Sequence, residues 1–169
     1  MVHHTTTRRR FTTAAAFAGV SLSATGVATA KGRDHNFRAP LSGDEEVPPV
    51  DTRARGLAKF QLSKDETELQ YRLNVANIEN LTMAHIHQGA TGVNGPVVTW
   101  LYPDGPPPQL IEGRFSGVLA TGTITDEDLV GPLEDESLAD LLTIMRAEET
   151  YVNVHSDAFP AGEVRGQIR

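Results

Sequence analysis

Three histidines carry the chemistry open to this sequence. His85 and His87 stand two residues apart in Ala84-His85-Ile86-His87-Gln88-Gly89, and His155 closes Tyr151-Val152-Asn153-Val154-His155. Side chains alternate between the faces of a strand, so His85 and His87 share a face and Ile86 takes the other. The same rule groups Tyr151, Asn153 and His155 on one face, and Glu163, Arg165 and Gln167 on one face opposite Val164 and Ile168. If the three strands pair, their polar sides merge into one surface. Three imidazole nitrogens make a donor set suited to copper or zinc, with Glu163 as candidate fourth ligand or as partner of a ligand. Ligation needs neutral imidazole, so binding is expected to fade below about pH 6. The competing reading of His85, His87, Asn153, His155, Glu163 and Arg165 is a satisfied hydrogen-bond network that fixes strand register and holds no ion.

The elements that must position these residues are strands. Ala58, Phe60 and Leu62 alternate with Lys59 and Gln61. After the Ser63-Lys64-Asp65-Glu66 turn, Leu69, Tyr71, Leu73 and Val75 alternate with Gln70, Arg72 and Asn74, which predicts a β-hairpin with one buried face. Further strands are predicted over 37–41, 81–88, 97–102, 114–123, 151–155 and 163–169, with Gly117 and Gly122 as candidate bulges or bends. Gly89 to Pro96, with three glycines and an Asn-Gly, predicts a tight shaped loop. Pro103 to Gln109 predicts a stiff exposed one. Leu138, Leu141, Leu142 and Met145 stand at helical spacing, which predicts one core-facing helix over 137–148, before the last two strands. Ser137 is its candidate cap, with Asp140 giving only a weak capping box. Seven or eight short strands between Gly/Pro turns give an all-β fold, an antiparallel Greek-key β-sandwich.

The 169 residues include 15 basic, 22 acidic and no cysteine. Disulfides, thiolate metal sites and cysteine nucleophiles are excluded. Residues 1–30 read as a leader. Thr7-Arg8-Arg9-Arg10-Phe11 resembles the twin-arginine export motif, a mildly apolar run follows, and Ala28-Thr29-Ala30 offers small residues for cleavage. The domain is then 31–169, bearing 12 basic against 22 acidic residues, three of the bases being lysines. Acid excess argues against nucleic acid and anionic membranes as partners, and matches the composition of proteins kept soluble in high salt. No segment after the leader is apolar and long enough to span a bilayer.

Ala84-His85-Ile86-His87-Gln88-Gly89, Gly95-Pro96-Val97-Val98, Tyr151-Val152-Asn153-Val154-His155 and Pro160-Ala161-Gly162-Glu163-Val164-Arg165-Gly166-Gln167-Ile168 together resemble a CHRD domain, the module first described in chordin. The opening Phe37-Arg38-Ala39-Pro40-Leu41-Ser42-Gly43-Asp44-Glu45-Glu46-Val47-Pro48-Pro49 matches it too. The resemblance, to CHRD proteins of the microbial exported type, implies a secreted β-sandwich, Ig-like or superoxide-dismutase-like. Nothing here matches chordin's cysteine-rich growth-factor-binding repeats, so that activity is not implied. A second resemblance is to the copper site of copper/zinc superoxide dismutase, in which His85 and His87 match the paired ligands and His155 the late one. The bridging histidine, the zinc loop and the disulfide of that family have no counterpart.

The expected function is therefore a secreted or cell-surface CHRD binding or structural module, without demonstrated catalysis, for an extracellular or cell-surface partner the sequence does not name. The alternative is a copper- or zinc-binding protein, with superoxide-dismutase-like chemistry as its extreme. Other signals point elsewhere. Asp126, Glu127 and Asp128 suit a helical N-terminus better than calcium. Asn80-Leu81-Thr82 fits a glycosylation acceptor. Trp100 is expected in the core.

Overall fold

In the computed structural model of the chain, residues 35–169 are described; the expected leader, residues 1–30, lies outside them. Seven strands follow in the order β1 (Asn36–Ser42), β2 (Arg55–Leu62), β3 (Leu69–Gln88), β4 (Val97–Tyr102) and β5 (Ile111–Ile124), then helix α1 (Leu138–Arg146), then β6 (Thr150–Ser156) and β7 (Val164–Gln167). Every pairing is antiparallel. β1, β2, β3, β6 and β7 close into a ring, and β4 and β5 join the outer edge of β3. The all-β antiparallel expectation holds. The two separate sheets of a Greek-key sandwich are replaced by this closed barrel with two added strands.

The cause is β3. The alternation predicts two strands, 69–75 and 81–88, but the chain runs as one 20-residue strand. Asn77 and Asn80 take positive φ of 61° and 51° at its middle. Asparagine tolerates this left-handed conformation better than most residues, so the strand bends there rather than ending. Its first half pairs β2 and β5, and its second half pairs β6 and β4. One bent strand thereby ties both halves of the barrel together.

Apolar alternation fills the interior. Ala39, Leu69, Leu73, Ile86, Val152, Val154 and Val164 have no accessible surface. α1 adds Leu138, Leu141, Leu142 and Met145 to the same core. The Ser137–Asp140 capping box forms: the Asp140 carboxylate accepts from the Ser137 backbone N–H at 3.1 Å and from its hydroxyl. Each fully buried Leu or Ile contributes roughly 1.5–3 kcal/mol. Gly122 is not a bulge. It pairs in register with Tyr71, whose ring a Cβ there would strike at 2.7 Å.

A three-histidine candidate metal centre

The second half of β3 lies beside β6, and β6 beside β7. Register places His85 opposite Asn153 and Asn153 opposite Arg165, while His87 stands opposite Tyr151 and Tyr151 opposite Gln167. His155 falls opposite Met83, diagonal to His85. Across β4, Trp100 stands opposite His85. Because Ala84, Ile86, Val152, Val154 and Val164 turn into the core, the polar side chains occupy the outer face of these strands. That face is nonetheless buried: His85, Asn153, His155, Glu163 and Arg165 are each at most 5% exposed. Loops fold over it, and the polar groups hold them down.

Arg165 is the main fastener. It donates to Asn94 Oδ1 at 2.9 Å and to the carbonyls of Val93 and Ala90 at 2.9 and 3.2 Å. Its guanidinium lies 3.4 Å from the centroid of the Tyr151 ring. The other partner of Tyr151 is His87, stacked at 4.9 Å with an interplanar angle of 8°. The Tyr151 hydroxyl accepts from the Gly95 N–H at 3.1 Å, and Gln167 Nε2 donates to the Gly89 carbonyl at 2.9 Å. The glycine-rich loop 89–96, expected to be tight and shaped, is thus fixed from beneath. Gly95 is required there, since a Cβ would collide with the Gln88 carbonyl.

Hydrogen bonding decides the tautomers. His87 Nδ1 faces the Gly95 carbonyl at 2.9 Å and His155 Nδ1 faces the Pro160 carbonyl at 3.1 Å. A carbonyl only accepts, so in both rings Nδ1 carries the proton and Nε2 is a bare lone pair. His85 Nδ1 lies 3.2 Å from His155 Nε2 and must donate to it. That leaves Nε2 of His85 bare as well. Nε2 of His85 and Nε2 of His87 are buried without any hydrogen-bond partner. One nitrogen from each of the three rings lies within 4.8 Å of the others. Among the described residues no other group of His, Asp or Glu is so placed for a single ion.

Protonation is strongly opposed. Burial, then the His155 and His87 rings, pushes His85 down to about 3. Burial and His87 push His155 down to about 4, against the Pro160 hydrogen bond. His87 is lowered by burial, partly offset by its bond to Gly95. The three rings are therefore neutral lone-pair donors across the ordinary pH range. The threshold near pH 6 expected from unperturbed histidine moves well below that.

The carboxylates take other roles. Glu163 accepts from Thr52 Oγ1 at 2.8 Å and from Ser156 Oγ at 2.6 Å, so its oxygens are engaged with hydroxyls beside the site. Glu46 belongs to the opening segment of the CHRD resemblance, but nothing in the sequence gives it a place at the site. It is 5% exposed, and burial raises it to about 7 against the Arg165 charge, a 3.4 Å contact from Asn153 Nδ2 and the Val47 backbone N–H. A loop acid between prolines carries no signal of burial. Trp100 is half-buried rather than in the core, with its ring edge-on to His85 at 4.2 Å. Asp126 and Asp128 accept from the Leu138 N–H at 2.6 Å and the Thr125 N–H at 2.8 Å, in line with a capping role.

The family model of the CHRD domain matches residues 37–168. This span covers β1 to β7 and all three histidines, and the chain belongs to the CHRD family. Nothing among curated proteins matches the chain, and nothing among solved structures does. No helix of the described residues is long and apolar enough to cross a membrane.

Proposed function

We propose that this CHRD domain is a secreted or cell-surface binding module whose working site holds one copper or zinc ion on His85, His87 and His155. One observation carries the reading. His87 and His155 each direct Nδ1–H at a backbone carbonyl, which leaves Nε2 unprotonated in both, and one nitrogen of each of the three rings lies within 4.8 Å of the others. Metal-ligating histidines are oriented in this way, with the distal N–H donated to a carbonyl or carboxylate. A purely structural network would be expected to satisfy its buried nitrogens, and two here lack any partner.

The donor set fits the group. Ligands about 2.0–2.1 Å from one ion stand some 3–4 Å from each other. The His85–His155 pair is already at 3.2 Å, and one nitrogen of each of the three rings lies within 4.8 Å of the others. His85, His87 and His155 would hold the ion through neutral imidazoles, and ligation by His85 Nδ1 would shift its proton to Nε2. Bound there, copper or zinc supplies Lewis acidity, and copper an electron-transfer couple as well. The chain's own residues hold the rings neutral, fix their tautomers and cover them with loop 89–96. Secretion rests on the leader-like residues 1–30, and its outcome is a mature terminus at Lys31, read by sequencing the exported protein.

Metal analysis of protein made without a polyhistidine tag tests the site, with the His85→Ala/His87→Ala variant beside it. One ion per chain, lost in the variant, is the expected result. Equal metal in both leaves a binding or structural module without this site.

A further inference from the structure

A second feature lies away from the histidines, on the outer face of the other half of the barrel. Register sets Arg38 opposite Lys59 and Lys59 opposite Arg72, one cation from each of β1, β2 and β3. All three are exposed, and none has an acidic partner within 4 Å among the described residues. Like charges directly opposite one another on a sheet are destabilising. Here three stand abreast in a stretch, 35–169, holding ten basic and 21 acidic residues. With so many acids available, none neutralises the row.

The next row reads Asn36, Gln61 and Gln70, again opposite one another and exposed. The same six side chains line one groove of about 480 Å3. On β5, Thr121 and Thr123 continue the two rows as partners of Arg72 and Gln70. A file of cations therefore runs beside a file of amides, both ending in hydroxyls.

We infer that the face of Arg38, Lys59 and Arg72 binds a carboxylate-bearing polysaccharide chain. Cations on neighbouring strands recur every 4.7–4.9 Å or so, close to the repeat of one sugar in an extended chain. A linear polyuronate can set successive carboxylates on successive cations. Arginine takes a carboxylate through two parallel hydrogen bonds. The amide file and the two threonines match the hydroxyls along the same chain. The charge complementarity is local, since the surrounding acidic surface repels a stiff, densely charged duplex.

The test titrates the full chain with polygalacturonate in low salt, using neutral dextran as control. The expected result is binding of polygalacturonate alone, weakening as salt shortens the screening length from about 30 Å to 10 Å. The Arg38→Gln/Lys59→Gln/Arg72→Gln variant is expected to bind roughly tenfold more weakly. Its thermal midpoint without ligand is expected to equal or exceed that of the parent, because the like-charge row is gone. Unchanged affinity in the variant overturns the inference. So does equal binding of double-stranded DNA by the parent. Self-association of the parent that the variant loses assigns the face to a second copy of the chain and overturns it too.

Discussion

His85 Nδ1 and His155 Nε2 lie 3.2 Å apart, although 70 residues separate them. The pair has room for one proton between the rings, because His155 keeps its own on Nδ1 against Pro160. A further proton would leave an uncompensated charge in a buried place. The contact thus links two strands, holds both rings neutral and leaves a nitrogen of His85 without a partner.

Acid should unfold the metal-free protein in a definite window. Histidine in the unfolded chain titrates near 6.5, whereas His85 and His155 titrate at about 3 and 4 when folded. Below 6.5 the unfolded state takes up protons that the folded state refuses. Their contribution is complete above that point and is lost as pH falls through about 4 and then about 3. Urea midpoints at intervals from pH 7.5 to 4 should fall, and a His85→Asn/His155→Asn variant should fall less steeply. A parent midpoint that stays level would remove the buried-histidine account.

Glu46 should act in the opposite direction. Burial raises it to about 7, so the folded state retains a proton that the unfolded chain releases near 4.5. Its contribution is greatest below 4.5 and declines as pH rises through 7. Glu46→Gln should therefore stabilise the protein at pH 8 by roughly 1–3 kcal/mol and change little at pH 4.5. Denaturant melts at the two values decide it; a smaller gain at pH 8 than at pH 4.5 would contradict the burial of a protonated acid.

Trp100 is the only tryptophan, and its ring lies 4.2 Å from His85. Copper(II) at the three histidines should quench its fluorescence with an end point at a single equivalent, while zinc should not. The His85→Ala/His87→Ala variant should show no end point. Quenching that persists there would locate the copper elsewhere.

Arg165→Met should release loop 89–96 from its three hydrogen bonds. Loss of these bonds to a charged group costs about 2–4 kcal/mol. Amide exchange at Ala90 to Asn94 should quicken more than in β1. Lysine should not restore it, because only the guanidinium fork reaches several acceptors at once.

Gly162→Ala tests the crowding around Asn153. The glycine has φ of 131°, and a Cβ would meet the Asn153 amide and the Glu46 carboxylate at closer than van der Waals distance. A loss of about 1–3 kcal/mol is expected, read as a lower thermal midpoint. An unchanged midpoint would mean that the two side chains can move aside.

Much of this was legible in the sequence because strand alternation is a local property. The spacing put His85 and His87 on one face and His155 on the polar face of its own strand, with Ile86, Val152 and Val154 turned inward, but that the strands lie side by side was a condition the structure supplies. The helical stripe from Leu138 to Met145 was legible for the same reason. The merging of 69–75 with 81–88 was not, because two asparagines read as loop until their φ angles are known. Arg165 was seen on the polar face, but its grip on Ala90, Val93 and Asn94 depends on a loop folding back across the sheet. Glu46 had no periodic signal at all. Long-range closure, which buries an outward face, leaves no pattern in neighbouring residues.

β3 takes part in four of the domain's ladders, two of them in the barrel. A cut near Asn77 to Asn80 would hand each fragment a set of orphaned edges, so the domain has no smaller autonomous version. Variation that survives must gather in the connecting turns. The bend in one strand thus makes the whole module indivisible, inherited or lost as a unit.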